Sequence, residues 1–282
     1  INPTRDSHII NGNDGGCNIS YDNGENWFKA NTPSVAQFYA IALDNAKPYN
    51  VYGGLQDNGV WGGPSNHKES IDWIDNGEYA FKRYNGGDGM QVQVDTRDNK
   101  TIYSGSQFGF YSRLNLATKE RKFIKPQHEL GEYPLRFNWQ TPIVLSRHNQ
   151  DVLYYGSNKF HRSLTRGDQI ETLSADLTNG SKSGDVPFAT ITTISESPLK
   201  FGLLYVGTDD GNIQVSKDGG YTWALLGRPS KKNAGLPQGL YVSRVVASEW
   251  KESRVYVTLN GYRNDHFNAY VFVSDDYGNT WK

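Results

Sequence analysis

Tyr52, Tyr103, Tyr154, Tyr205 and Tyr256 follow one another at a constant interval of 51 residues. Each is preceded by an aliphatic residue: Val51, Ile102, Leu153, Leu204 and Val255. Two places after the tyrosines stand Gly54, Gly105, Gly156 and Gly207, with Thr258 the one departure. A second apolar column runs upstream through Ile41, Val92, Ile143, Ile194 and Val245, and a sixth, shorter copy is legible over His8–Gly16. Columns that recur in this way, more than the strict interval, mean a stack of similar supersecondary units. The apolar-polar alternation of Met90-Gln91-Val92-Gln93-Val94 makes those units strands and excludes a helical solenoid.

Four strands can be drawn in each unit. Strand A spans 37–44, 88–95, 139–146, 190–197 and 241–248 in successive copies. Strand B carries the tyrosine, strand C runs into a serine, and strand D begins at a tryptophan. Four short antiparallel strands per repeat describe the blade of an all-β propeller, here with about six units of which the first lacks strand A. The last copy stops just after Trp281, at the start of its strand D. The expectation is one propeller over residues 1–282, or part of a larger one, with open sheet edges covered by neighbouring sequence or another chain.

The C–D turns hold a box that recurs in full three times. Its copies are Ser20-x-Asp22-x-Gly24-x-Asn26-Trp27, Ser216-x-Asp218-x-Gly220-x-Thr222-Trp223 and Ser274-x-Asp276-x-Gly278-x-Thr280-Trp281. Ser163–Gly167 is a decayed copy. The chemistry is structural: the Asp accepts backbone N–H groups, the Gly supplies a positive φ, and the Trp is an apolar plug. A Ca²⁺ loop is the competing reading, but the bidentate Glu it needs is absent.

The boxes resemble the Asp-box (BNR) repeat of sialidases, sortilin/Vps10-type receptors, xyloglucan-active glycoside hydrolases and photosystem assembly propellers. Gly54–Trp61, Gly86–Gly89 and Leu135–Trp139 are similar to segments of large secreted bacterial proteins labelled glycosyl-hydrolase-like or Vps10-like. The resemblance implies a propeller outside the cell, secreted or at the cell surface, that binds a glycan or a protein. The sialidase Arg-Ile-Pro motif and the cysteine-rich module of Vps10 receptors are both missing here. The xyloglucan-active relatives imply the alternative, half of a glycoside hydrolase with a carboxylate acid or base in the propeller cleft. A third option is an assembly factor in a larger complex.

Composition removes other classes. Lys and Arg total 29 against 30 Asp and Glu, a net charge of −1 that offers no footprint for nucleic acid. No apolar run reaches the ~18 residues of a membrane span. Cys17 is the only cysteine, so a cysteine metal site is excluded, and the six histidines show no ligand spacing. No metal or cofactor is expected, and no serine has the elbow of a Ser-His-Asp enzyme.

In an antiparallel meander the boxes share one rim with the A–B turns, and the B–C turns and D–A connections lie on the other. Ligand-binding candidates on that second rim are Asp14, Gln56, Asp57, Asp88, Gln107, Arg136, Trp139, Asn158, Asp209 and Asp210. Acids and amides suit sugar hydroxyls, and an aromatic face suits sugar C–H groups. Asp57, Asp88 and Asp210 are the candidate acid or base should the rim be catalytic. Turn chemistry competes at each of them, because Asp57-Asn58-Gly59 and Asp210-Gly211 are also strong hairpin signals. Trp61, Tyr39 and Phe38 are further aromatic candidates.

Overall fold

The computed structural model describes residues 1–13, 16–30, 36–68, 70, 79–180, 188–229 and 235–282. Two compact units are present, Ile1–Gln37 and Phe38–Lys282. The first unit holds one three-stranded antiparallel sheet of β1 (Ile9–Asn13), β2 (Gly16–Ser20) and β3 (Phe28–Ala30).

The second unit holds five sheets, each a meander in sequence order. They are β4 (Phe38–Leu43) to β7 through β5 (Asn50–Leu55), β6 (Gly59–Pro64) and β7 (Lys82–Asn85), then β8 (Val92–Val94), β9 (Thr101–Ser106), β10 (Phe110–Asn115) and β11 (Arg121–Phe123). The fourth and fifth sheets are β12 (Ile143–Leu145), β13 (Leu153–Gly156), β14 (Phe160–Ser163), β15 (Glu171–Thr172), and β16 (Ile191–Glu196), β17 (Leu204–Thr208), β18 (Ile213–Ser216), β19 (Ala224–Leu225). The sixth has three strands, β20 (Tyr241–Ala247), β21 (Val255–Gly261) and β22 (His266–Ser274). The fold class is the β-propeller expected from the repeats, with three-stranded sheets at the first and last positions.

The first strands of the second unit lie side by side in the order β4, β8, β12, β16, β20. Four apolar clusters fill the four junctions between successive sheets, so the core is a series of inter-blade layers. The repeat columns point into those layers: Tyr52, Tyr103, Tyr154 and Tyr205 are all buried. Ile41 departs from its column and is 63% exposed. The physical reason is position, since β4 opens the unit and no strand of that unit precedes it.

Inner strands face a particular problem, because one edge of each sheet has N–H groups with no strand beside them. Side chains of the preceding blade answer it. Gln91 and Gln93 accept from the amides of Ile143 and Leu145, both at 3.3 Å. Two junctions further round, Thr193 and Ser195 accept from Val245 and Ala247 at 3.4 and 3.0 Å.

Candidate functional site

The box turns share one hydrogen-bond pattern. In the copy at Ser216 the hydroxyl donates to Asp218 Oδ1 at 2.8 Å and accepts from Gly220 N at 2.8 Å. Asp218 also accepts from Thr222 N and Thr222 Oγ1, and Trp223 Nε1 donates to Gly220 O. Ser20-Asp22 and Ser274-Asp276 repeat the Ser and Asp bonds. In the decayed copy Thr165 replaces Asp and still accepts, from Gln169 N at 3.0 Å.

The residue before the glycine is left-handed too, at Asn23, Arg166, Gly219 and Tyr277. Its amide donates to the carbonyl two places ahead of strand B: Ser7, Asp151, Gly202 and Ser253. Each box is therefore a clamp joining the C–D turn to the segment that leads into strand B of its own blade. The tryptophans are less buried than plugs would be; Trp27 is 47% exposed and Trp223 is half-buried, tilted against Phe160 of the preceding blade at 5.0 Å. A plug needs a wall on every side, and these rings cover the outer rim of a sheet.

The opposite rim carries several groups of polar bonds between B–C turns and D–A connections. Asp57, left-handed at φ 59° and exposed, donates its amide to Asp88 Oδ1 at 2.7 Å. The Asp88 amide in turn donates to Gln107 Oε1 at 3.3 Å. Phe108 N donates to Trp139 O, and the two rings meet edge to face at 5.0 Å. Arg136 donates to Asp176 Oδ2 and to Ala189 O, while its amide is held by Asn158 Oδ1. Burial raises the Asp176 carboxyl, but bonds from Thr178, Asn158 and Arg136 outweigh it and hold the group low.

Asp209 is the centre of the last group. It is buried, accepting Thr190 N at 2.8 Å, Thr190 Oγ1 at 2.6 Å and Asn138 Nδ2 at 3.4 Å. Burial pushes its carboxyl above the ordinary range, and the charge of neighbouring Asp210 pushes the same way, against the Thr190 and Asn138 bonds. Asp210 is also buried; its oxygens accept Thr208 Oγ1 at 2.6 Å and Asn179 N at 2.7 Å.

Of the sequence candidates, the structure joins Asp57, Asp88 and Gln107 in one network and Arg136 with Asn158 in a second. Asp209 stands with Asp210 and with Asn138, next to Trp139. Gln56 is half-buried beside Asp57. Asp14 lies outside the described residues. Asp88 and Asp210, read as possible acids or bases, have carboxyl oxygens taken up by turn amides. Tyr39 packs on the core cluster of the third and fourth sheets, Trp61 donates to Asn58 O, and Phe38 is exposed. Asn138, Asp176 and Asn179 escaped the sequence reading; only the Asx-type turn after Asp176, closed by Thr178, could have pointed to one of them.

The Ser157–His161 pair, Oγ to Nε2 at 2.7 Å, continues to Thr172 Oγ1 and not to a carboxylate. Burial takes the His161 imidazole down to about 3. Both residues have no exposed surface, so this pair is a packed polar contact with no route to a substrate. Among the described residues no group of three or more His, Cys, Asp or Glu side chains could hold a metal ion. Among the described residues no helix is long and apolar enough to cross a membrane.

No family model and no curated protein matches the chain. Solved structures do. A crystal structure of an ancestral GH74 enzyme superposes with a TM-score of 0.59 at 12% identity, over 88% of this chain and 31% of that one. The GH74 enzyme of Niastella koreensis gives 0.35 at 12%, covering 100% of this chain and 55% of that one. A Bacteroides thetaiotaomicron protein of unknown function gives 0.48 at 12%, over 89% and 64%. The first match carries the fold alone, and this chain spans about a third of that enzyme's length.

Proposed function

We propose that this chain is an extracellular glycan-recognition propeller that binds through the rim opposite the boxes. The observation that carries the reading is Trp139, which stays 39% exposed although Phe108 packs on it at 82° and its neighbours Arg136 and Asn138 are tied into adjoining blades. A partly exposed aromatic ring held rigid is what a sugar ring stacks on. The likeness in fold to an ancestral GH74 enzyme supports a polysaccharide as ligand, with further domains or chains contributing to the whole protein.

A second reading has its own support. Asp209, buried and raised beside Asp210, has the environment of a general acid, which would make the chain one half of a glycoside hydrolase. Two variants separate the readings on a panel of soluble polysaccharides that includes xyloglucan. Under recognition, Trp139→Ala weakens binding about tenfold, from ~1–2 kcal/mol of lost stacking, and no variant changes hydrolysis. If Asp209→Asn keeps binding and lowers turnover by about a hundredfold, the hydrolase reading replaces it. Unchanged affinity in Trp139→Ala overturns the recognition site.

A further inference from the structure

On the rim opposite the boxes, the third sheet brings the end of its strand D back to its own B–C turn. Ile124 N donates to Tyr111 O at 3.1 Å, and the next residue, Lys125, reaches Phe110 at the start of β10. The ammonium lies 3.7 Å from the centre of the Phe110 ring and 4.5 Å from that of Phe137. Phe110 is exposed and Phe137 is buried. Trp139 stands at the other end of the same turn. Phe108 N donates to Trp139 O, and Phe137 closes on Gly109, where a Cβ would lie 3.1 Å from its Cδ1. Lys125 and Trp139 therefore flank one aromatic turn.

The other cations around this turn are matched. Arg136, in the connection that follows Lys125, pairs with Asp176 at 2.7 Å. Lys159, in the B–C turn of the fourth sheet, pairs with Glu132 at 2.8 Å. Lys125 has no such partner: among the described residues its contacts are the two rings, with no carboxylate and no acceptor for its three N–H donors. The side chain is half-buried, yet Nζ is not closed off from solvent. Burial lowers the ammonium below its ordinary range, and no neighbouring acid offsets it.

A partly desolvated ammonium without a counter-ion is costly, and two ring faces compensate only part of that. A neutral sugar on Trp139 leaves the cost in place, whereas an anion on the same ligand removes it. We infer that the polysaccharide bound on this rim is anionic. A sugar oxyanion, a uronate carboxylate or a sulfate ester, accepts from Lys125 while a neighbouring sugar ring stacks on Trp139. Lys125 is then the residue that sets the preference for acidic over neutral chains. This inference rests on the glycan reading of the rim.

Two matched pairs test it on the intact chain: polygalacturonate beside its fully methyl-esterified form, and dextran sulfate beside dextran. Each is titrated by calorimetry at about 20 mM and about 300 mM NaCl, conditions that screen an exposed charge pair weakly and strongly. The expected result is that the acidic member of at least one pair binds about tenfold more tightly than its neutral partner at low salt, an advantage that shrinks at high salt. The pair with the larger ratio identifies the oxyanion. Lys125→Gln should bring that ratio to within about twofold, whereas Trp139→Ala should weaken acidic and neutral chains alike. Lys125→Met keeps an apolar stem against the two rings and carries the test if Lys125→Gln does not fold. Equal affinities within both pairs, or an acidic preference that survives the loss of the Lys125 charge, overturns the inference. Unchanged affinities in Trp139→Ala sink the glycan reading itself, whichever way the ratios fall.

Discussion

Gly54 of β5 lies so close to Met90 that a Cβ on the glycine would stand 1.9 Å from the methionine carbonyl oxygen. Met90 belongs to the next repeat. The glycine column seen in the sequence is therefore set largely by contacts between blades. At Gly207 the obstacle is Val242, a β-carbon at 2.3 Å from its Cγ1, and at Gly156 it includes Ile191 at 3.0 Å. Gly105 and Gly156 meet their own blade first, at Phe110 O (2.2 Å) and Pro142 Cγ (2.8 Å). Thr258, where the column breaks, bonds instead to Ser243 of its own sheet at 2.8 Å.

Gly54→Ala and Gly207→Ala should each destabilise the second unit by about 3 kcal/mol, the upper end of overpacking costs, because backbone or a β-branched wall must yield. Gly86→Ala is the control. Its nearest neighbour is the flexible end of Arg83 at 3.5 Å, so it should stay within about 0.5 kcal/mol. Urea denaturation of the three variants beside the wild type checks the order.

Trp223→Ala should cost about 3 kcal/mol, at the low end for a large aromatic, since the ring is only half-buried against Phe160. Trp27→Ala should cost clearly less, because that ring is more exposed. Thermal unfolding of the two variants compares them. Equal costs would mean that the box clamp, and not packing against the preceding blade, sets the contribution of the tryptophan.

Asp218 should make the fold acid-sensitive. Bonds from the Thr222 hydroxyl and amide lower its carboxyl to about 2. A depressed folded-state pKa stabilises above the unfolded value of about 3.9, and the contribution is lost as pH falls from there toward about 2. Asp218→Asn should lower stability at neutral pH by about 1 kcal/mol and flatten the acid limb of the curve. Chemical denaturation from pH 6 to pH 2 measures both effects.

Asp209 should act in the opposite direction. Its raised carboxyl favours folding most below the ordinary value of about 3.9, and that contribution is lost as pH rises through the higher folded-state value. Asp209→Asn should remove this part of the slope. Carboxyl carbon NMR of the labelled protein would locate the titration directly; a value at or below the ordinary range would refute the predicted slope.

Much of the architecture was legible because propeller blades repeat. The tyrosine and glycine columns, the boxes and the alternation in Met90–Val94 are local patterns, and each blade satisfies most of its backbone within itself. Sequence analysis accordingly placed strands A to D and separated the two rims. Periodicity could not show what one blade does for the next. Gln91, Gln93, Thr193 and Ser195 look like ordinary polar strand residues until the neighbouring inner strand presents its open amides. The same holds for the candidate rim. Asp88 and Asp210 read first as turn acceptors and second as reactive acids, and the amides that Asp57 and Asn179 donate to them, from segments 31 residues away, are visible only in the structure. Local propensity and spacing, which act within one repeat, are written in the chain. Burial, and with it the rise at Asp209, depends on which blade comes to lie beside which, and only the packed structure determines that.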